Sequence, residues 1–405
     1  MSSSRLLRSS ILVALVGVVA GCQPRALSPE DASFDRADAD AGFAPDSGST
    51  TATLATRLTP SGDSWWDPEV LSADEGAWMT FQDERGEVFL ATLDPMTGLL
   101  SGGGVRSIGD RAAPLLRTFN GPEFGLDAQG ISVHYTRIGE DGLFQSTRVR
   151  MEYGEPRLDV LTEGVEHFSP LASKIPSDPS TRLIMLRRPP EWGTALWVDD
   201  ASPEVEHELF PIVDRTDSDA RWISGSRLIV TDGPLTPTTR EEVSVLDTDT
   251  GEVEIVSNGE GVFGNPYGWF APDAGDALQV IALTDDLALT MWRRAPDGWS
   301  RVATIHSPVP SLPYFGSPEP FAVRGRSFVS AVLASEADPQ PGVSEQQVWL
   351  FSLDGRDAWR CDDGAAGATR ADPEVLVLGQ QVFVYYYTIS RRRSEVWVCA
   401  TRVPT

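Results

Sequence analysis

Residues 65–111 read WWDPEVLSADEGAWMTFQDERGEVFLATLDPMTGLLSGGGVRSIGDR. Four short β-prone runs stand out: DPEVLSA, GAWMTFQ, EVFLATL and SGGGVRSIG. Turn-forming residues separate them, as in Asp83-Glu84-Arg85-Gly86 and Asp94-Pro95-Met96-Thr97-Gly98. Apolar and β-branched runs of this length, bounded by Gly, Asp and Pro, read as strands joined in hairpins. The stretch therefore predicts one antiparallel sheet of four strands. Beyond the N-terminal leader, no part of the chain keeps the 3.6-residue apolar stripe of an amphipathic helix, so an all-β fold is expected.

The same plan recurs along the chain. Its head is a small or acidic residue, then proline, often glutamate, then an apolar residue. It appears as Asp67-Pro68-Glu69-Val70, Gly121-Pro122-Glu123-Phe124, Ser169-Pro170-Leu171, Asn265-Pro266-Tyr267, Ser317-Pro318-Glu319-Pro320 and Asp372-Pro373-Glu374-Val375. A degenerate copy without proline lies at Asp219-Ala220-Arg221-Trp222. Taken at positions 68, 122, 170, 221, 266, 318 and 373, the steps are 54, 48, 51, 45, 52 and 55 residues. A second landmark keeps the same phase. It is a β-run that often carries an aromatic: Val88-Phe89-Leu90, Leu196-Trp197-Val198, Val243-Ser244-Val245, Met291-Trp292, Val348-Trp349-Leu350 and Val396-Trp397-Val398. Four antiparallel strands repeating at about 50 residues make a propeller blade. The expectation is a seven-bladed β-propeller of four-stranded blades.

The last unit is short of its fourth strand, because the chain stops soon after Val403. The β-prone segment Thr50 to Thr59 precedes the first head and has no blade of its own. It is expected to supply the missing outer strand of blade 7. Closure of this kind removes the open sheet edges that invite aggregation. The propeller is thus placed at residues 50–405, with 50–59 as the closing strand.

The N-terminus reads differently. After Arg5 and Arg8 comes ILVALVGVVAGC, residues 11–22. Its apolar run, Ile11 to Ala20, is far short of the ~20 residues that span a bilayer and reads as a signal-peptide core. Val19-Ala20-Gly21-Cys22 resembles the bacterial lipobox. That resemblance implies a signal peptide at 1–21, removal before Cys22, and lipidation of Cys22 as the new N-terminus, with palmitate or a similar acyl chain added. Multiple acyl chains anchor a protein stably where one binds only marginally. Gln23 follows the cysteine in place of the aspartate that signals inner-membrane retention, so residence at the outer membrane of a bacterial cell envelope is expected.

Residues 22–49 hold the lipidated cysteine and a stretch rich in Asp, Ala, Ser, Pro and Gly. It cannot bury enough apolar surface to offset its ordering entropy, and reads as a flexible acidic tether with a reach on the order of 30 Å. The whole chain carries a formal charge of −26. Removal of Arg5 and Arg8 with the leader leaves 31 basic against 59 acidic residues, or −28. Such an acidic chain is a poor ligand for nucleic acid and for anionic lipid headgroups, so contact with the membrane is expected through the lipid alone. With Cys22 lipidated, Cys361 and Cys399 remain. An exported compartment permits disulfides, and these two are expected to pair, tying the outer strand of blade 6 to the third strand of blade 7. A monomer is expected.

The first strand of each blade lines the propeller axis, so the heads should converge there. Glu319, Glu374, Glu69 and Glu123 belong to blades 6, 7, 1 and 2, which are consecutive around a closed ring. Asp67 and Asp372 lie two positions before two of them, on the same strand face. If these faces point inward they form an acidic crescent. One reading is a cation site, with calcium the candidate, or a carboxylate pair for glycoside hydrolysis. The other is architecture, with the carboxylates bonding backbone amides or arginines such as Arg111 and Arg370. Repetition favours architecture, because a catalytic residue is needed once and a framework residue in every blade. Trp65 and Trp66 at the first head, and Tyr267 and Trp269 at the fifth, are candidates to stack a sugar or a peptide at the channel rim. Trp197, Trp349 and Trp397 suit packing between blades. The chain has no G-x-S-x-G, H-E-x-x-H, Walker or C-x-x-C motif, and its four histidines are dispersed.

Two resemblances bear on the propeller. Phe270-Ala271-Pro272-Asp273, followed by the strand ALQVIAL, resembles the repeat of TolB-like propellers. ADPEVLVLGQQVFVYYYTISRRRSEVWVCATR at the C-terminus and WWDPEVLSADEGAWMTF at the first blade resemble blades of arabinanase-type glycosidases. The second resemblance implies Asp67 as a general base. Gly121 and Ser169 stand at the next two heads, where that family's pattern goes on to require further carboxylates. The expected function is a lipid-anchored envelope module that binds a protein or glycan. The alternative is a polysaccharide-active hydrolase or lyase using axial carboxylates.

Overall fold

Each of the seven heads begins the innermost strand of its own four-stranded antiparallel sheet in the computed structural model. The structure describes residues 55–401, apart from residues 75, 114–119, 153–154, 189–193, 210–219, 234–241, 258–262, 285, 338, 340–342 and 391–392. The proposed leader, Cys22 and the tether therefore lie outside the described residues, as does Asp219 of the degenerate head. The inner strands run Trp65–Ala73, Glu123–Asp127, Glu166–Ala172, Ala220–Trp222, Phe263–Ala271, Tyr314–Val323 and Thr369–Leu378. Each packs against the inner strand of the next blade, and that of blade 7 packs against that of blade 1, so the sheets close into a ring. The chain forms a seven-bladed β-propeller, and the described residues contain no α-helix.

Of the segment expected to close the ring, residues 50–54 lie outside the described residues, and the rest lies at the outer edge of blade 7. The strand Thr56–Arg57 pairs with the third strand of blade 7, Arg393–Thr401, with Thr56 opposite Val398 and Arg57 opposite Trp397. Beyond this short ladder, the Leu58 amide donates to the Val396 carbonyl at 2.8 Å, and the Val396 amide to Thr59 Oγ1 at 2.8 Å. The Ser394 amide donates to Ser64 Oγ at 3.0 Å. Side chains thus continue the seam where regular pairing stops. Cys361, just past the outer strand of blade 6, is disulfide-bonded to Cys399 in the third strand of blade 7, and both are fully buried. The bridge therefore fastens the strand on which the N-terminal segment closes.

The core lies between blades. Phe81 and Met79 of blade 1 pack with Phe383 and Tyr385 of blade 7, and Trp269 and Met291 of blade 5 with Trp349 and Phe351 of blade 6. Trp197 and Trp397 sit in the equivalent seams of their own blades. Burying such an aromatic contributes about 2–3 kcal/mol of apolar transfer, so the period-two alternation of each strand becomes cohesion around the ring.

Candidate functional site

The heads owe their composition to a backbone device. Asp67, Ser169, Asn265, Ser317 and Asp372 all have positive φ, between 44° and 53°, and each precedes a proline. Across each of these pairs the register with the second strand slips: between Trp66 and Glu69, Phe168 and Leu171, Gly264 and Tyr267, Gly316 and Glu319, and Ala371 and Glu374. Asp67 and Pro68 together face Phe81 alone, which is a β-bulge. Among side-chain-bearing residues, Asp and Asn best tolerate left-handed backbone. Proline loses nothing where no ladder hydrogen bond is asked of it. The repeated acidic-or-small residue before proline is thus bulge chemistry, repeated wherever the inner strand bends into the axis.

The bulge residues also link neighbouring blades. Asp67 Oδ2 accepts a hydrogen bond from the Gly121 amide at the second head. Asp67 and Asp372 are hydrogen-bonded to one another, and Asp372 is bonded in turn to Ser317. The Asn120 amide donates to Ser169 Oγ at 3.3 Å. A Cβ placed on Gly121 would lie 2.6 Å from the Cβ of Asp67. Glycine at the second head is therefore the space that Asp67 occupies.

Two residues further along the inner strands lie Glu69, Glu123, Glu319 and Glu374, and with them Lys174, Arg221 and Tyr267. Lys174 reaches the axis from the loop after the inner strand of blade 3. That loop is held against blade 2 by the Ile175 amide, which donates to the Leu126 carbonyl at 2.7 Å. Lys174 Nζ donates to Glu69 Oε1. The Arg221 guanidinium lies 5.7 Å from the centre of the Tyr267 ring.

The electrostatics follow from crowding acids in a confined space. Burial, and then the neighbouring Glu69 charge, push Glu319 up to about 8. Burial followed by Glu69 also raises Glu123 well above the usual carboxylate range. Glu374 rises for the same reason, with Glu319 and Glu69 as its main charged neighbours. Burial and the adjoining Asp372 carboxylate raise Asp67 well above its ordinary value. Asp372 is raised by burial, and its bond to Asp67 and the charge of Arg221 work against that rise. Burial opposes the charge of Lys174, but Glu69, Glu123 and Glu374 outweigh it and raise its pKa. The axis thus gathers carboxyls whose charged forms are disfavoured by burial and by one another, around an ammonium and a guanidinium.

The structure therefore brings all six sequence-selected carboxylates into one electrostatically coupled group. Among the described residues, no three acidic, histidine or cysteine side chains are arranged to cage a metal ion. The cation seated among the carboxylates is Lys174. The arginines expected as partners lie elsewhere. Arg370 is buried against Asp363 and the carbonyls of Ala365 and Ala368, and Arg111 is exposed on the outer strand of blade 1. Their places are taken by Lys174 and Arg221. Lys174 carried a signal in the sequence, since it is the single lysine of the chain, and Arg221 sits in the degenerate head.

The aromatic rim divides. Trp65 is buried, stacked on Phe81 at 4.1 Å, and Trp269 is buried with its Nε1 donating to Ser327 Oγ at 3.3 Å. Both belong to seams between blades and offer no face to a ligand. Trp66 is half-buried, donating to Ser64 Oγ at 3.0 Å with its ring 6.3 Å from Tyr387. Tyr267 faces the axis beside Arg221.

No protein-family model matches the chain, and no curated protein matches it in sequence. Among solved structures it is similar to the β-propeller domain of Cps50 (Swd1) from Myceliophteria thermophila. The TM-score is 0.51 at 10% identity, covering 85% of this chain and 99% of that one. The likeness is one of fold. More distantly, the chain is similar to a protein of unknown function from Dyadobacter fermentans, with TM-score 0.44, 9% identity, and 88% and 99% of the two chains covered. It is also similar to a protein assigned as TolB from Agrobacterium tumefaciens, with TM-score 0.41, 13% identity, and 74% and 95% covered.

Proposed function

We propose that this chain is a lipid-anchored, non-catalytic binding module of the bacterial cell envelope, a monomeric propeller held at the outer membrane through Cys22 and presented to a protein or glycan partner. The observation that carries the non-catalytic reading is the commitment of Asp67. The carboxylate that would act as general base accepts the Gly121 amide and is bonded to Asp372, and Gly121 has no side chain to interrupt that contact. Glu69 is likewise committed to Lys174. These groups hold blades together. The leader and the Val19-Ala20-Gly21-Cys22 run support the anchor.

A second reading keeps one favourable observation. Glu319 is pushed up to about 8 by burial and the Glu69 charge and so holds a proton near neutral pH, as the general acid of a glycosidase must. Assaying the purified full-length protein for sugar release from a polysaccharide panel separates the two. The binding reading expects no turnover, and Asp67→Asn and Glu374→Gln should fold normally, because an amide oxygen still accepts the Gly121 N–H. Turnover that disappears in Asp67→Asn would establish the hydrolase. The anchor is tested by labelling cells with a palmitate analogue: Cys22→Ser should abolish incorporation, and retained label would refute lipidation at this cysteine.

A further inference from the structure

A groove lies away from the axis, between the outer strand of blade 4, Val253–Ile255, and the hairpin joining the third and outer strands of blade 5, Ala288–Ala295 and Gly298–His306. The blade 4 strand is three residues long and the blade 5 outer strand nine, so among the described residues the blade 4 strand covers only part of the hairpin. The cavity measures about 440 Å³, within the range of small-ligand sites. Glu254, Ile255, Arg294, Asp297, Trp299 and the backbone of the hairpin turn line it.

Its wall is built across the two blades. Arg294 and Trp299 are directly paired across the hairpin. Both donate to the one carboxylate of Glu254: Arg294 Nη2 to Oε1, and Trp299 Nε1 to Oε2 at 2.9 Å. The indole is thereby fixed in orientation, with its polar edge satisfied and its ring half-buried. Arg294 is exposed and has further N–H donors available, because a guanidinium carries five. Asp297, exposed at the turn, supplies acceptors.

We infer that this groove is a binding subsite for a neutral pyranose ring of a glycan. A sugar ring offers a C–H face to an aromatic and a rim of hydroxyls that need donors and acceptors together, and Trp299, Arg294 and the two carboxylates provide that combination. An anionic ligand would meet Glu254 and Asp297, and a cationic one would meet Arg294. The inference rests on the glycan arm of the binding function proposed above and gives that arm a place on the fold.

The test is calorimetric titration of the purified full-length protein with cellotriose, maltotriose and chitotriose, with trigalacturonate and a chitosan trimer as charged controls, alongside tryptophan fluorescence. At least one neutral trisaccharide should bind and shift the emission. Trp299→Ala should weaken it about tenfold or more, as truncation of an aromatic anchor does. Asp297→Ala, on an exposed turn, should weaken it severalfold with an unchanged melting temperature, which keeps the test valid should Trp299→Ala fail to fold. Neutral-sugar binding unaffected by Asp297→Ala and by any folded Trp299 variant would remove the site from this groove and leave the envelope-module reading in place. Failure of all three neutral sugars to bind, or binding of a charged control alone, overturns the inference. Sugar release that depends on Asp67 would instead strike the non-catalytic reading and leave the groove untouched.

Discussion

The seam between blades 7 and 1 and the seam between blades 2 and 3 do the same mechanical task with opposite chemistry. The first is apolar: Phe81, Met79 and Val70 pack against Phe383, Tyr385 and Val396. It holds few polar contacts, one of them the buried Tyr385 Oη donating to the Gly98 carbonyl at 2.7 Å. The second adds a buried ionic network to its apolar contacts, with Arg150 and Asp127 of blade 2 meeting Thr181 and Asp200 of blade 3. Arg150 Nη1 donates to Asp127 Oδ1 at 3.0 Å, Thr181 Oγ1 donates to Asp127 Oδ2 at 3.0 Å, and Arg148 Nη1 donates to Asp200 Oδ2 at 2.6 Å. The side chains of Asp127, Asp200 and Arg150 are 0%, 1% and 7% exposed. Apolar burial is tolerant of small changes in shape. A buried ion pair is costly to desolvate and holds only while every partner is present. One seam therefore depends on area, and the other on completeness.

That difference makes the ionic seam the more fragile to a single change. Arg150→Ala leaves Asp127 buried without its main counter-charge and is expected to cost about 3–5 kcal/mol in denaturant unfolding. Removing both charges, in Arg150→Met with Asp127→Leu, should recover most of that loss, since paired buried ions are often replaceable by apolar residues of similar volume. Phe81→Ala in the apolar seam should also cost about 3–5 kcal/mol, but no partner substitution in Phe383 should restore it. A double ionic variant as unstable as Arg150→Ala would break the contrast.

The two seams also differ in how far the sequence revealed them. The apolar seam follows from period-two alternation and from the aromatic landmark, both of which repeat, so Trp349 and Trp397 were legible as packing between blades. Blade count, ring closure by residues before the first head, and the Cys361–Cys399 pairing were legible for related reasons, each resting on repetition or on an unmatched element. The ionic contacts of that seam follow no repeat in the sequence. Asp127 follows its head at no shared position, and Arg148 and Arg150 look like ordinary exposed charges on a strand. At the axis, the recurrence of Asp-Pro-Glu brought the six carboxylates together in the sequence reading, but their counter-charges escaped it. Arg111 is exposed on an outer strand, and Arg370, though two residues from Asp372, spends its guanidinium on Asp363 and on backbone carbonyls. Lys174 lies beyond the end of its inner strand and reaches the axis only because its loop crosses toward blade 2.

The axis itself supplies a smaller test of the same idea, that a contact between blades is limited by room or by charge. Gly121→Ala places a methyl group within 2.6 Å of Asp67 Cβ. Overpacking of this kind costs about 1–3 kcal/mol. Asp67→Ser in the same chain should recover part of the cost, because it removes the carboxylate oxygen that would lie 2.5 Å from the new methyl while leaving the Cβ contact. A Gly121→Ala protein as stable as the wild type would mean that the first two heads are not in the close contact described.

The smallest effect expected is the response of the ring to pH, and its sign is opposite to that of ordinary surface carboxylates. Glu319 is raised from 4.5 to about 8 by burial and by Glu69, and Glu123, Glu374 and Asp67 are raised as well. Between the unfolded and folded pKa values the native state binds more protons than the unfolded chain. Stability must then fall as pH rises through that interval, and this contribution is fully present only below the unfolded value. For Glu319 the window runs from about 4.5 to about 8. Thermal unfolding followed across that range should show a melting temperature that declines with pH. Glu319→Gln, which removes one titrating proton while keeping the side-chain shape, should flatten the decline. The apolar seam between blades 7 and 1 has no such group at its centre, so Phe81→Leu should lower the curve uniformly without changing its slope. A slope unchanged by Glu319→Gln would show that the axial carboxyls titrate alike in the folded and unfolded chain, and that the protons assigned to the axis are not held there.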